Sequence, residues 1–180
     1  MEKVGPTENP DESRNNSIFE LYSEDFGITI DGLRGKKILD MPAGTEAKFV
    51  EYCLKQGIDI VGMDAQELET QDSEVKKHFI QGHVQENPLR RETFDLILIR
   101  ALPSYAHWRI FNESLPLLKR GGTIKWAPFF QETNSDHKKF LNQVITSQEE
   151  LGYRAEVKLI TMQKTHSGEV IRYCLTVQRS

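Results

Sequence analysis

The sequence predicts a single doubly wound α/β sheet, mostly parallel, with an antiparallel β-hairpin at its carboxyl end. Three stretches carry that expectation. Lys36 to Asp64 (KKILDMPAGTEAKFVEYCLKQGIDIVGMD) reads as strand, turn, helix and second strand, with an acid closing each strand. Phe94 to Ile99 (FDLILI) is an almost continuous apolar run, as expected of a parallel strand buried on both faces. Near the end, Glu156 to Met162 and Val170 to Val177 are both strand-like, and the short segment between them contains Ser167-Gly168 instead of a helix.

The remaining elements follow in order. Met1 to Arg14 has two prolines, many charges and few apolar residues, so residues 1–14 are expected to be a mobile tail and residues 15–180 the domain. Asn15 to Phe26 places Ile18, Phe19, Leu21, Tyr22 and Phe26 on an amphipathic helix, read as a packing helix or as a lid with Tyr22 facing a site. After Asp40, Pro42-Ala43-Gly44-Thr45 is turn chemistry, in which Gly44 accepts positive φ without strain. Ala47, Val50 and Leu54, with Phe49 and Cys53 beside them, form a helix face that Gly57 ends. Ala65 to His78 should hold a short helix with acids early and bases late, and Phe79-Ile80 a third strand ending near Gly82-His83. Trp108, Phe111, Leu115 and Leu118 share a helix face expected to stop at Gly121-Gly122, and Thr123 to Trp126 starts the fifth strand. A last helix should start near Ser135 and end at Gly152.

Composition narrows the function. A chain of 180 residues with 38% hydrophobic content suits one domain with a polar surface. Its net charge of −4 and scattered Lys/Arg pairs disfavour a dedicated nucleic-acid binder, which needs a concentrated basic face. Cys53 and Cys174 lie on apolar segments without metal-ligand spacing, so no metal is expected. No signal peptide or membrane-spanning run is visible, which gives a cytoplasmic expectation. The first turn lacks the G-x-G-x-x-G of dinucleotide binders, and a P-loop is missing altogether.

The ordered set ILDMPAGTE, VGMD, QGHV, FDLILIRAL, LLKRGG and a final hairpin resembles the class I S-adenosylmethionine-dependent methyltransferases from about Lys36 to Arg179. The resemblance implies a Rossmann-like sheet of seven strands and S-adenosylmethionine as cofactor. In that family the first turn cradles the methionine part of the cofactor, which here implicates Asp40, Pro42, Ala43 and Gly44. The acid ending the second strand binds the ribose hydroxyls, implicating Asp64 with the adjoining Ala65, and the residues after the third strand flank adenine, implicating His83 and Val84. Since Asp64 would serve a ligand, replacing it should leave stability nearly intact. Two departures stand out: Glu46 occupies the third glycine position, near the cofactor carboxylate, and His83 replaces the usual adenine-side acid.

Methyl transfer is an in-line displacement, so catalysis can come largely from positioning, and no obligatory catalytic side chain follows. A base for an oxygen or amine nucleophile would come from the crevice, where His107, Tyr105 and Tyr22 are the candidates. For His107 the structural alternative is a surface residue on a first helical turn, and for Tyr105 and Trp108 packing aromatics. Arg100, directly after a doubly buried strand, requires a partner such as Asp40 or an anionic ligand. His78, His137 and His166 read as exposed. Ala101 to Tyr105 lacks the residues of an adenine-amino motif and no Pro-Cys pair is present, so the expected acceptor is a small molecule or a protein side chain. The alternative, motivated by Glu46 and His83, is a catalytically inactive methyltransferase-like module that binds a partner or another ligand.

Overall fold

The computed structural model describes residues 10–84, 89–100, 110–127, 129–131, 145–146, 148–165 and 168–180. Four buried parallel strands form its centre: β1 (Ile38–Met41), β2 (Ile60–Asp64), β4 (Phe94–Arg100) and β5 (Leu118–Ala127), with the short β3 (Phe79–Gln81) beyond β2. Ile38, Leu39, Ile60, Ile97, Leu98, Ile99 and Ile124 are fully buried, as strands covered on both faces require. The chain finishes with β6 (Phe129–Gln131), β7 (Tyr153–Thr165) and β8 (Gly168–Arg179).

Strand order is β3-β2-β1-β4-β5-β8, and β7 pairs β8 on its far side. β8 runs antiparallel to β5, with Trp126 opposite Leu175, and antiparallel to β6, with Phe129 opposite Arg172. The two pairings share one register offset, so β5 and β6 count as one strand along β8. Counted that way, the sheet has the expected seven strands, and β7 with β8 is the expected hairpin.

Four helices accompany the first half: α1 (Pro10–Phe26), α2 (Ile30–Leu33), α3 (Lys48–Lys55) and α4 (Ser73–Lys77). α1 is already helical at Pro10, ahead of the expected start at Asn15. Asp72 caps α4 by accepting hydrogen bonds from the N–H groups of Glu74 and Val75. α3 starts one residue later than Ala47, which instead takes the left-handed conformation at φ 46. Its buried residues are Phe49, Val50 and Cys53. Gly62 in β2 lets α3 approach closely: a Cβ there would stand 2.7 Å from Val50 Cγ2 and 3.0 Å from Ala43 Cβ.

One expected boundary is wrong. Gly121-Gly122 does not stop a helix. Helical backbone ends in a 3-10 turn, Leu115–Leu117, that contains Pro116, and Leu118 already pairs with Phe94 of β4. The glycines sit where the β4–β5 register shifts, because positive φ serves a bulge as well as a helix terminus (Gly121, φ 78). His78 is likewise not exposed: it is half-buried, with Nδ1 3.0 Å from the Ile60 carbonyl oxygen. The helix expected from Ser135 lies mostly outside the described residues, as do His137 and His166.

Candidate functional site

At the carboxyl ends of β1 and β2 the chain leaves the sheet and leaves a crevice, the place where open α/β sheets take ligands. A cavity of about 380 Å³ lies there, lined by Tyr22 of α1, the turn Pro42 to Glu46, the first residues of α3, Asp64 and Arg100. Its size falls in the range of small-ligand sites.

The turn is tied to the end of β2. Asp64 Oδ2 accepts a hydrogen bond from the Gly44 N–H at 2.8 Å, and Oδ1 accepts one from the Gln66 N–H at 3.0 Å. The Ala43 N–H donates to the Met63 carbonyl at 2.9 Å, and the Glu69 N–H to the Thr45 carbonyl at 2.7 Å. Gly44 has φ 75, and a Cβ on it would meet nothing within 4 Å. No side chain caps α3, which leaves its first N–H groups without a side-chain acceptor, and Ala47, Lys48 and Phe49 line the cavity. Glu46 is exposed and paired with Lys48 at 2.6 Å, so its charge is compensated.

Asp40 is placed differently. Its side chain is 0% exposed, and it accepts the Tyr22 hydroxyl proton, with that oxygen 3.0 and 3.2 Å from its two carboxylate oxygens. Tyr22 stacks on Phe49 with ring centroids 3.7 Å apart and planes 7° apart. Burial pushes the Asp40 carboxyl up to about 8, against the opposing pull of the Tyr22 hydroxyl and the Arg100 cation. The same burial, with Asp40 nearby, raises the Tyr22 phenol well above its ordinary value.

Arg100 lines the cavity and forms an ion pair with Asp25. Its Nε donates to Asp25 Oδ2 at 2.7 Å, and Asp25 is 1% exposed. The guanidinium also lies over the Tyr22 ring, 5.4 Å from its centroid. Asp25 and Phe49 are the residues that sequence reasoning missed. Periodicity held part of the signal for Asp25, since Tyr22, Asp25 and Phe26 recur at three and four residues on one helical face.

Of the other expected residues, Pro42, Ala43, Gly44 and Asp64 line the cavity together. Ala65 and His83 are exposed and Val84 is half-buried against core residues; none of the three lines this cavity. His107, Tyr105 and Trp108 lie outside the described residues. Cys53 and Cys174 are buried thiols, as expected. Among the described residues no group of acids, histidines and cysteines is arranged to hold a metal, and no helix is long and apolar enough to cross a membrane.

The family model described as a methyltransferase domain matches residues 39–125, which include the β1 turn, α3, β2 and the Asp64 brace. Over that span the chain is similar to methyltransferase domains. Solved structures with the methyltransferase fold cover nearly the whole chain. A SAM-dependent methyltransferase from Archaeoglobus fulgidus superposes with TM-score 0.58 at 13% identity, over 95% of each chain. M. jannaschii TYW2 in complex with AdoMet gives TM-score 0.62 at 14% identity, over 99% of this chain and 80% of that one. The [4+2]-cyclase SpnF gives 0.63 at 13% identity, over 97% and 86%. At such identities the likeness is one of fold. Among curated proteins none matches the chain.

Proposed function

We propose that the protein uses S-adenosylmethionine to methylate a small-molecule acceptor or a protein side chain by in-line displacement. The observation that carries this reading is the brace of Asp64 on the Gly44 turn beside an open cavity of about 380 Å³. The residues present suit the cofactor. Asp64 accepts two N–H groups and keeps lone pairs for ribose hydroxyls. The uncapped N–H groups opening α3 suit the amino-acid carboxylate, and Glu46, being paired with Lys48, opposes it less than its position in the sequence implies. His83 and Val84 remain the residues proposed for the adenine side.

When bound, the cofactor supplies an electrophilic methyl group on a sulfonium. The chain's own contribution is positioning. Tyr22 and Phe49 give the cavity an aromatic wall that keeps water from one side. Asp25 fixes Arg100, whose cation faces the cavity for an anionic part of cofactor or acceptor. α1, through Tyr22, then serves as the lid. His107 and Tyr105 stay the candidates for a base.

Isothermal titration with S-adenosylmethionine and S-adenosylhomocysteine tests the reading: saturable binding supports it, and its absence at millimolar ligand, with circular dichroism confirming the fold, removes it. One observation favours a non-catalytic module instead. Tyr22 covers Asp40 at the first turn, and a cyclase shares the fold, so the fold alone does not guarantee methyl transfer. Binding of both ligands without turnover of any acceptor class would select that alternative.

A further inference from the structure

A second cavity, of about 510 Å³, opens at the opposite end of the sheet, where β1, β4 and β5 begin. Its wall combines the loop after α1 (Gly27 to Thr29), Gly35-Lys36 before β1, and the β5 bulge from Arg120 to Thr123. We infer that this cavity is a binding site for a small phosphate-bearing ligand.

Three cations, Lys36, Arg120 and Lys125, face one carboxylate on that wall. Among the described residues, the side chains of Lys36 and Arg120 make no ion pair, and the N–H groups of Thr29 and Gly35 make no hydrogen bond. Lys125 is a third cation, its ammonium donating to the Phe26 carbonyl at 2.5 Å. The one carboxylate in the lining, Asp95, is already satisfied: it accepts from the Lys37 N–H at 2.8 Å and from Lys119 Nζ at 3.0 and 2.8 Å. Burial works against its ionisation, but these partners outweigh it and hold the carboxyl below the usual range, so the acid stays charged and occupied. The lining charges leave a net positive wall, in a chain of net charge −4. Two glycines expose main chain in that wall: Gly35 and Gly121 have φ 70 and 78, which favours glycine, and a Cβ on either would stand in open space. Main-chain N–H groups bared by glycine, beside a guanidinium and an ammonium, are the chemistry that recognises a phosphate. A concave volume of this size suits a phosphorylated small molecule. The inference is independent of the cofactor reading, since the two cavities share no residue.

Pyrophosphate is the probe. Titrated into ¹⁵N-labelled protein at constant ionic strength, it should shift the amide resonances of Thr29, Gly35, Gly121 and Gly122 saturably, leaving those of Gly44 and Gln66 in place. The double variant Lys36→Glu/Arg120→Glu, altering two exposed side chains, should keep its melting temperature and weaken binding on the order of a hundredfold, as loss of two charge-assisted hydrogen bonds implies. Shifts that grow linearly without saturating, that chloride reproduces, or that persist in the double variant would each overturn the assignment. If the double variant does not fold, Arg120→Gln, which removes charge without reversing it, gives the same comparison.

Discussion

Two adjacent strands carry the same residue type at or one residue before their ends, and put it to different uses. Asp64 closes β2 with 9% of its surface exposed and two backbone N–H donors, so its carboxylate is solvated by the main chain and holds the Gly44 turn in place. Asp40, one residue before the end of β1, has no exposure and a single hydroxyl donor, and burial raises its pKa to about 8. The type of residue therefore decides little. What decides is how many N–H groups the following turn aims at it and whether α1 lies over it, as Tyr22 does over Asp40.

The difference is sharpest in pH dependence. A carboxyl whose folded pKa lies above its unfolded value of about 4 holds its proton more tightly in the folded state. Its contribution is fully present at low pH and is lost as pH rises through the folded value near 8. Asp40→Asn keeps an acceptor for Tyr22 and removes the titration. At pH 8 it should be more stable than the parent protein by about 2 kcal/mol or more, with little difference at pH 4, in urea unfolding curves. An equal difference between variant and parent at the two pH values would overturn the raised pKa of Asp40.

Asp64→Asn should act in the opposite direction. The amide cannot accept at both positions, so one backbone N–H loses its acceptor, at a cost of about 1–3 kcal/mol in the same unfolding experiment, and affinity for S-adenosylhomocysteine should fall with it. Stability loss with unchanged affinity would confine Asp64 to bracing the turn. The smallest effect is expected at the turn's other acid. Glu46 is exposed and pairs with exposed Lys48, so Glu46→Ala should leave the unfolding midpoint within error and cofactor affinity unchanged or slightly improved by calorimetry.

Much of the fold was legible because its signals are local. The β1–α3–β2 run, the apolar β4 and the final hairpin are each written in a few consecutive residues, and the structure contains all three. Errors arose where one residue type serves two geometries, as Gly121-Gly122 does at a bulge that reads equally as a helix stop. The site was legible in part. The sequence places Gly44 and Asp64 at one crevice, but periodicity cannot show that Asp64 spends its oxygens on backbone N–H groups. It thus serves structure as well as any ligand, contrary to the expectation that its loss would leave stability nearly intact. Nor can periodicity reveal that Arg100 reaches back 75 positions to Asp25, because partners that distant are joined only by the packing of α1 on the sheet.

The hairpin that completes the sheet also decides how the molecule meets its own copies. One border of the sheet is β3, three residues long, and the other is β7, thirteen residues that pair only with β8 among the described strands. A border that long offers a row of main-chain groups on which another chain could grow, and short β3 does not. Arg154, Glu156 and Lys158 are exposed at every second position of β7, alternating in sign, so a neighbouring copy laid against that border would have to accommodate and partly desolvate them. Those three charges are the barrier to edge-to-edge growth along β7.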